Sequence, residues 1–229
     1  MDPIDPRHHI VIAIDGPAAS GKSSVARSLA HRLGFVYVNT GAMYRAVTWL
    51  AVHKEGASIH PDRVVGLLQS TAICCGIHDG ESTITINGVD PAPHLLSEAV
   101  NANVSRISSI PEVRSRLVAL QREYRRENDL VMEGRDIGSA VFPDTHYKFY
   151  IDASPEVRAQ RRLRQGLLDP ILARDRQDSS RRSSPLTIAE DAHVIDSSTL
   201  TIDGVVGEIV GRLKQKGLKI EDCRTPVKR

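Results

Sequence analysis

The stretch Gly16-Pro17-Ala18-Ala19-Ser20-Gly21-Lys22-Ser23 decides how this chain is read. Its spacing is G-x-x-x-x-G-K-S, that of a phosphate-binding loop. The run Ile10-Val11-Ile12-Ala13-Ile14 before it is apolar and β-branched, as a buried parallel strand requires. After it, Val25, Leu29 and Leu33 recur at helical spacing. The motif therefore stands between a strand and a helix, where backbone N–H groups at the helix N-terminus point at an anion. Gly16 to Ser24 form the expected ATP-binding set. Lys22 reaches the β- and γ-phosphates, and the Ser23 hydroxyl is the expected Mg²⁺ ligand. A glycine-rich turn that binds nothing is the bland alternative, and the correct flanks on both sides argue against it. The motif announces a nucleoside triphosphate without naming an acceptor.

The chain has 229 residues, 41% hydrophobic and 25% charged, enough for one folded α/β domain with insertions. A net charge of +2 and only 4% aromatic residues argue against a nucleic-acid surface or a stacking platform. No apolar run reaches the length of a membrane span. Met1 to His9 lacks the apolar centre of a secretory signal. The three cysteines, Cys74, Cys75 and Cys223, have no zinc-ligand spacing and fit a reduced cytoplasm. The expectation is a cytoplasmic monomer acting on small molecules.

Working outward, Gly34 to Asn39 reads as a second strand and Thr40 as the N-cap of a helix. Tyr44 and Arg45 then fall on the sheet edge where open α/β folds bind ligands. By spacing alone, a core tyrosine and a solvated arginine would explain them. Residues 55–100 change character. Ile73 to Val89 alternates in part, and Asp79-Gly80 and Asn87-Gly88 are turn signals. This reads as a small antiparallel insert with its own sheet, either a substrate flap over the pocket or a structural elaboration. Ser97 to Asn128 is helical, with Pro111 near a helix start and Ser109 as a possible cap.

Leu130-Val131-Met132 is a buried strand that ends in Glu133-Gly134-Arg135-Asp136, again on the ligand-bearing edge. His146 to Asp152 is the next strand, and Ser154-Pro155 starts a helix. The most basic stretch follows, with Arg158, Arg161, Arg162, Arg164, Arg174, Arg176, Arg181 and Arg182 interspersed by acidic residues. A solvated helix or an RNA surface would each account for it. A lid whose guanidinium groups close on phosphates fits best beside a phosphate loop. Ala192 to Asp196 is a fifth core strand, and Ile202 to Leu213 is the closing amphipathic helix. The fold class is thus α/β: a P-loop three-layer fold with about five parallel strands, an insert over about 55–100 and a lid over about 163–182. The core takes about 10–54, 101–162 and 190–216.

With these pieces in order, the chain resembles the bacterial cytidylate kinases over Ile10 to Lys214. The blocks Thr40-Gly41-Ala42-Met43-Tyr44-Arg45 and Glu133-Gly134-Arg135-Asp136-Ile137-Gly138 carry the likeness. Ile110-Pro111-Glu112-Val113-Arg114, Val141-Phe142-Pro143-Asp144 and Arg174-Asp175 with Asp178 and Arg181 continue it. The resemblance implies transfer of the ATP γ-phosphate to CMP or dCMP. It implies that Thr40, Arg114 and Asp136 recognise cytosine, and that Ser105, Arg174 and Asp178 hold the sugar. Arg45, Arg135 and Arg181 hold the acceptor phosphate, and Tyr44 lines that pocket. Arg161 and Arg162 match lid arginines near ATP. Lys22, Arg135, Arg162 and Arg181 are the implied catalytic cations. A carboxylate such as Asp136 accepts from the cytosine amine and would face a carbonyl in uracil. The connection from Leu163 to Ala173 is eleven residues and about one short helix shorter than in typical relatives. A shikimate- or gluconate-type kinase is the second reading, and a nucleotide-dependent regulatory or RNA-binding protein the third.

Overall fold

The structure is a computed structural model and describes residues 9–56, 59–164, 166, 171–181 and 185–220, with the side chains of 171–174 outside the description. The core is a sheet of parallel strands. The five are β1 (Val11–Asp15), β2 (Val36–Asn39), β5 (Leu130–Gly134), β6 (Tyr147–Asp152) and β7 (His193–Asp196). They lie in the order β2-β5-β1-β6-β7. Alternate residues of β1 serve opposite faces. Val11 and Ala13 pack with Val38, Leu130 and Met132 against α2 (Thr40–Glu55) and α5 (Pro111–Glu123). Ile12 and Ile14 pack with Val131 and Phe149 against α1 (Lys22–Leu33) and α8 (Ile202–Gln215). Burial on both faces explains why β1 and β5 read as continuous apolar runs. The three-layer α/β expectation and its five parallel strands hold.

The insert is a correction. After α3 (Pro61–Gln69), an antiparallel hairpin forms from β3 (Ile73–His78) and β4 (Glu81–Ile86). Its turn behaves as the sequence implied, with Asp79 and Gly80 at positive φ, and Asn87-Gly88, also at positive φ, makes the next turn, between Ile86 and Val89. The hairpin does not make a sheet of its own. It joins the edge of β2 through the pair Tyr37↔Glu81 and gives a seven-stranded sheet in all. The Tyr37 N–H donates to the Gly80 carbonyl at 2.9 Å, and the Asn39 N–H to the Ser82 hydroxyl at 3.1 Å. The β2 edge has free backbone groups, and a neighbouring hairpin edge satisfies them. Nor does Ile73 to Val89 line the cleft described below. That rim comes from Ala92, Leu95 and Leu96, between the hairpin and α4 (Glu98–Ile107).

Two caps differ by one or a few residues from expectation. Asn39 caps α2 by accepting from the Ala42 N–H at 3.0 Å, and Thr40 is the first helical residue. Ile110 rather than Ser109 precedes α5, whose Pro111 does sit in the first turn. Of the expected lid, α6 (Pro155–Arg164) and α7 (Ile171–Ser179) are described; the connection at 167–170 and Arg182 lie outside the described residues, as does Cys223. Among the described residues, no helix is long and apolar enough to cross a membrane.

Candidate active site

β1 and β5 are adjacent, with Asp15 opposite Gly134 in the register. The phosphate loop leaving β1 and the Glu133–Asp136 turn leaving β5 therefore open onto one cleft of about 1030 Å³. The loop requires glycine at its start. A Cβ on Gly16, whose φ is 153°, would lie 2.1 Å from the Ile151 carbonyl oxygen. Gly16 and Pro17 form the base of the loop, and Ala18 through Ser24 line the cleft. Lys22 is only 8% exposed. It is the first residue of α1, and its Nζ donates to the Pro17 carbonyl at 3.0 Å.

Glu133 is the residue sequence reasoning passed over. It is 3% exposed and collects three loop-side partners. The Ser23 hydroxyl donates to its Oε1 at 2.8 Å, the Tyr37 hydroxyl donates at 3.3 Å, and Lys22 Nζ lies 4.0 Å from its Oε2. One signal was available: an otherwise apolar buried strand, Leu130 to Met132, ends in a carboxylate.

On the wall facing the loop, Arg114 and Asp136 form an ion pair in which both side chains are buried. The Arg114 guanidinium lies 5.7 Å over the Tyr44 ring. Burial pushes the Tyr44 hydroxyl up to about 12, so it stays protonated at neutral pH. Asp178 gathers a second group. It pairs with Arg181, accepts from Arg135 Nε at 2.8 Å, and accepts from the Ser105 hydroxyl at 3.1 Å. Arg181 also donates to the Ser108 hydroxyl at 2.8 Å. Burial lowers the Arg181 guanidinium from its ordinary value; Asp178 opposes this, and the neighbouring Arg114 and Arg135 add to it. Arg45 is aimed by the Leu95 carbonyl and Asn101, both at 2.8 Å. Thr40 lies in the same wall and donates to the Glu133 carbonyl at 2.8 Å.

Beside the other wall, Arg161 is tied to the phosphate loop. It donates to the Ser20 carbonyl at 3.2 Å and to the Ser197 carbonyl at 2.7 Å. The Ser197 hydroxyl donates to the same Ser20 carbonyl at 2.8 Å. Arg162 is buried and lines the cleft. Asp175 of α7 accepts the Ala18 N–H at 3.2 Å and pairs with Arg158, which donates to the Ala18 carbonyl at 3.2 Å. Ser197, Asp175 and Arg158 were not expected at the loop. Arg174 lies on α7, with its side chain outside the described residues. Every other expected residue from Ala18 onward lines the one cleft. Its lining cations outnumber its carboxylates, which are Glu133, Asp136 and Asp178.

Such a cleft suits two anions held close together, one on backbone N–H groups and one on guanidinium groups. The cytidylate kinase family model matches residues 12–215. A cytidylate kinase of Streptomyces avermitilis is 39% identical over 216 residues, 90% of this chain and 94% of that one. A cytidylate kinase of Caldicellulosiruptor bescii is 41% identical over 213 residues, 88% and 94% of the two chains. Among solved structures, a shikimate kinase from Acinetobacter baumannii aligns over 92% of this chain and 96% of its own, with a TM-score of 0.44 and 16% identity. With the phosphate loop, the Thr40–Arg45 wall and the Glu133–Asp136 turn all in one cleft, and close relatives matched along nearly the whole length, the chain belongs to the cytidylate kinase family.

Proposed function

We propose that this protein transfers the γ-phosphate of ATP to CMP or dCMP by direct in-line displacement. The observation that carries the reading is the shared cleft, with the phosphate loop on one wall and the Arg114–Asp136 and Arg135–Asp178–Arg181 clusters on the other. The acceptor oxygen of a nucleoside monophosphate is already ionised near neutral pH, so no strong general base is needed. Positioning and charge neutralisation carry the rate.

The loop N–H groups and Lys22 hold the donor phosphates, with Arg161 and Arg162 over them. Arg45, Arg135 and Arg181 hold the acceptor phosphate. Asp136 accepts from the cytosine amine, Arg114 donates to the ring acceptors, and Thr40 supplies a further hydroxyl. Ser105 and Asp178 face the sugar. Asp136 and Arg114 pair with each other, and Asp178 pairs with Arg135 and Arg181. Substrate binding exchanges those internal pairs for ligand contacts. The pairs keep buried charges compensated until then.

The oxygen donors Ser23 and Glu133 fit Mg²⁺. The described residues hold no cluster of three or more metal-binding side chains, and Mg²⁺ bound through phosphates and water needs none. Ser23 would ligate the ion and Glu133 would hold its water, while the ion neutralises charge on the migrating phosphoryl group. Glu133→Gln is expected to raise the Mg²⁺ concentration for half-maximal rate by about 10–100-fold. A Mg²⁺ titration at fixed ATP checks this, and an unchanged midpoint would remove Glu133 from the metal site.

A screen of phosphate acceptors with ATP, covering CMP, dCMP, UMP, AMP and shikimate, tests the function. The expected order puts CMP and dCMP first. Preferential use of AMP or shikimate would overturn the reading.

A further inference from the structure

Asp15, the last residue of β1, is buried and lies outside the set that contacts either substrate in the reading above. Its two oxygens each accept a backbone N–H: Oδ1 from Ile137 and Oδ2 from Gly138, both at 2.8 Å. Those amides begin the π-helical turn Ile137–Val141, immediately after Arg135 and Asp136. From the other side, Arg135 Nη1 donates to the carbonyl of Gly16, the residue next to Asp15, at 2.7 Å. The start of the phosphate loop and the acceptor turn are thus stitched together twice, across 119 to 123 residues of sequence. The space is fitted to this contact. A Cβ on Gly138 would lie 3.1 Å from the Lys148 side chain and 3.4 Å from Asp15 Oδ2.

We propose that Asp15 is a positioning residue that pins the Arg135–Gly138 turn to the phosphate loop and thereby sets where the acceptor nucleotide sits relative to the donor. This rests on the assignment of Arg135 and Asp136 to the acceptor. Only a carboxylate serves, because both of its oxygens must accept. An asparagine would turn an NH₂ toward one of the two N–H donors and lose that bond. Groups facing Asp15 are Asp136 on the turn, Lys22 on α1, and Lys148 and Tyr150 on β6. Burial is the main force on its carboxyl and, against the two amide bonds, raises it to about 7. Below that pH the group is protonated, and the oxygen that carries the proton holds its amide more weakly. The hold on the turn is therefore present at high pH and fades as pH falls through about 7.

The test compares the full-length protein with Asp15→Asn and with Gly138→Ala, which presses on the same contact from its other end. Asp15→Asn is expected to lower kcat/KM for CMP by about tenfold or more, since a small misplacement of a reacting group costs up to about 10²-fold in rate. KM for ATP should change less than about twofold. Gly138→Ala should show the same split. The ratio of wild-type to Asp15→Asn kcat/KM for CMP should shrink between pH 8 and pH 6, a comparison in which the ionisation of CMP itself cancels. In parallel, ¹⁵N NMR should show faster exchange at the Ile137 and Gly138 amides of Asp15→Asn and a shifted Arg135 Nε–H. This arm needs no turnover, so a protein inactive on CMP would sink the functional reading and leave the positioning test intact. Unchanged amides, or an unaltered kcat/KM for CMP, would overturn the proposal. If Asp15→Asn does not fold, Gly138→Ala decides by the same two readouts.

Discussion

Lys22→Ala is expected to lower kcat for phosphoryl transfer by about 10²–10³-fold, the usual cost of removing a preorganised charge from a transition state. The side chain is held at the loop by the Pro17 carbonyl and stands near Glu133. Alanine leaves the Glu133 carboxylate its two hydroxyl donors, Ser23 and Tyr37. The fold should therefore survive, which circular dichroism and a thermal melt verify. Coupled ADP release measures the rate. A folded variant of near-normal activity would remove Lys22 from the reaction.

Asp136→Asn is expected to lower the CMP/UMP ratio of kcat/KM by about ten- to a hundredfold, because one changed base contact is worth about 1–3 kcal/mol. The amide carries both a donor and an acceptor. It can face the uracil carbonyl, while its bond to the cytosine amine weakens with the loss of charge. The buried Arg114 pair adds a second effect. Arg114 loses its partner's charge but keeps an oxygen acceptor, so a loss of about 1–3 kcal/mol in stability is expected. In a chain of this size that lowers Tm by about 2–4 °C per kcal/mol. Kinetics read well below the melt separate the two effects. Equal loss toward CMP and UMP would mean that Asp136 positions phosphate or metal and does not read the base.

The parts legible in the sequence are those with local causes. Strand β1, its loop and helix α1 declare themselves because apolar runs, glycines and helical spacing lie within one short span. The turns at Asp79-Gly80 and Asn87-Gly88 are equally local, since each needs positive φ. Where the hairpin docks is not local. One bridging pair at Tyr37 joins it to the core sheet, and nothing in its own alternation distinguishes a separate sheet from an added edge. The site divides in the same way. Family blocks marked Arg114 and Asp136, yet their pairing across 22 residues depends on α5 packing beside the Ile137–Val141 turn. Glu133 and Asp15 were passed over because a lone carboxylate at a strand end gains its meaning only from the loop that packs beside it.

The adjacency of β1 and β5 also sets a length scale. Neighbouring strands lie about 4.8 Å apart because backbone hydrogen bonds hold them there. The two loops that face the cleft emerge from neighbouring strand ends, so their roots stand one such spacing apart. The gap across which a phosphoryl group would travel is thus gauged by the main chain itself. Side-chain changes in either loop can alter which molecules enter and how firmly they are held. The basal separation belongs to the ladder, and it should be among the last features of the cleft to drift as the sequence varies.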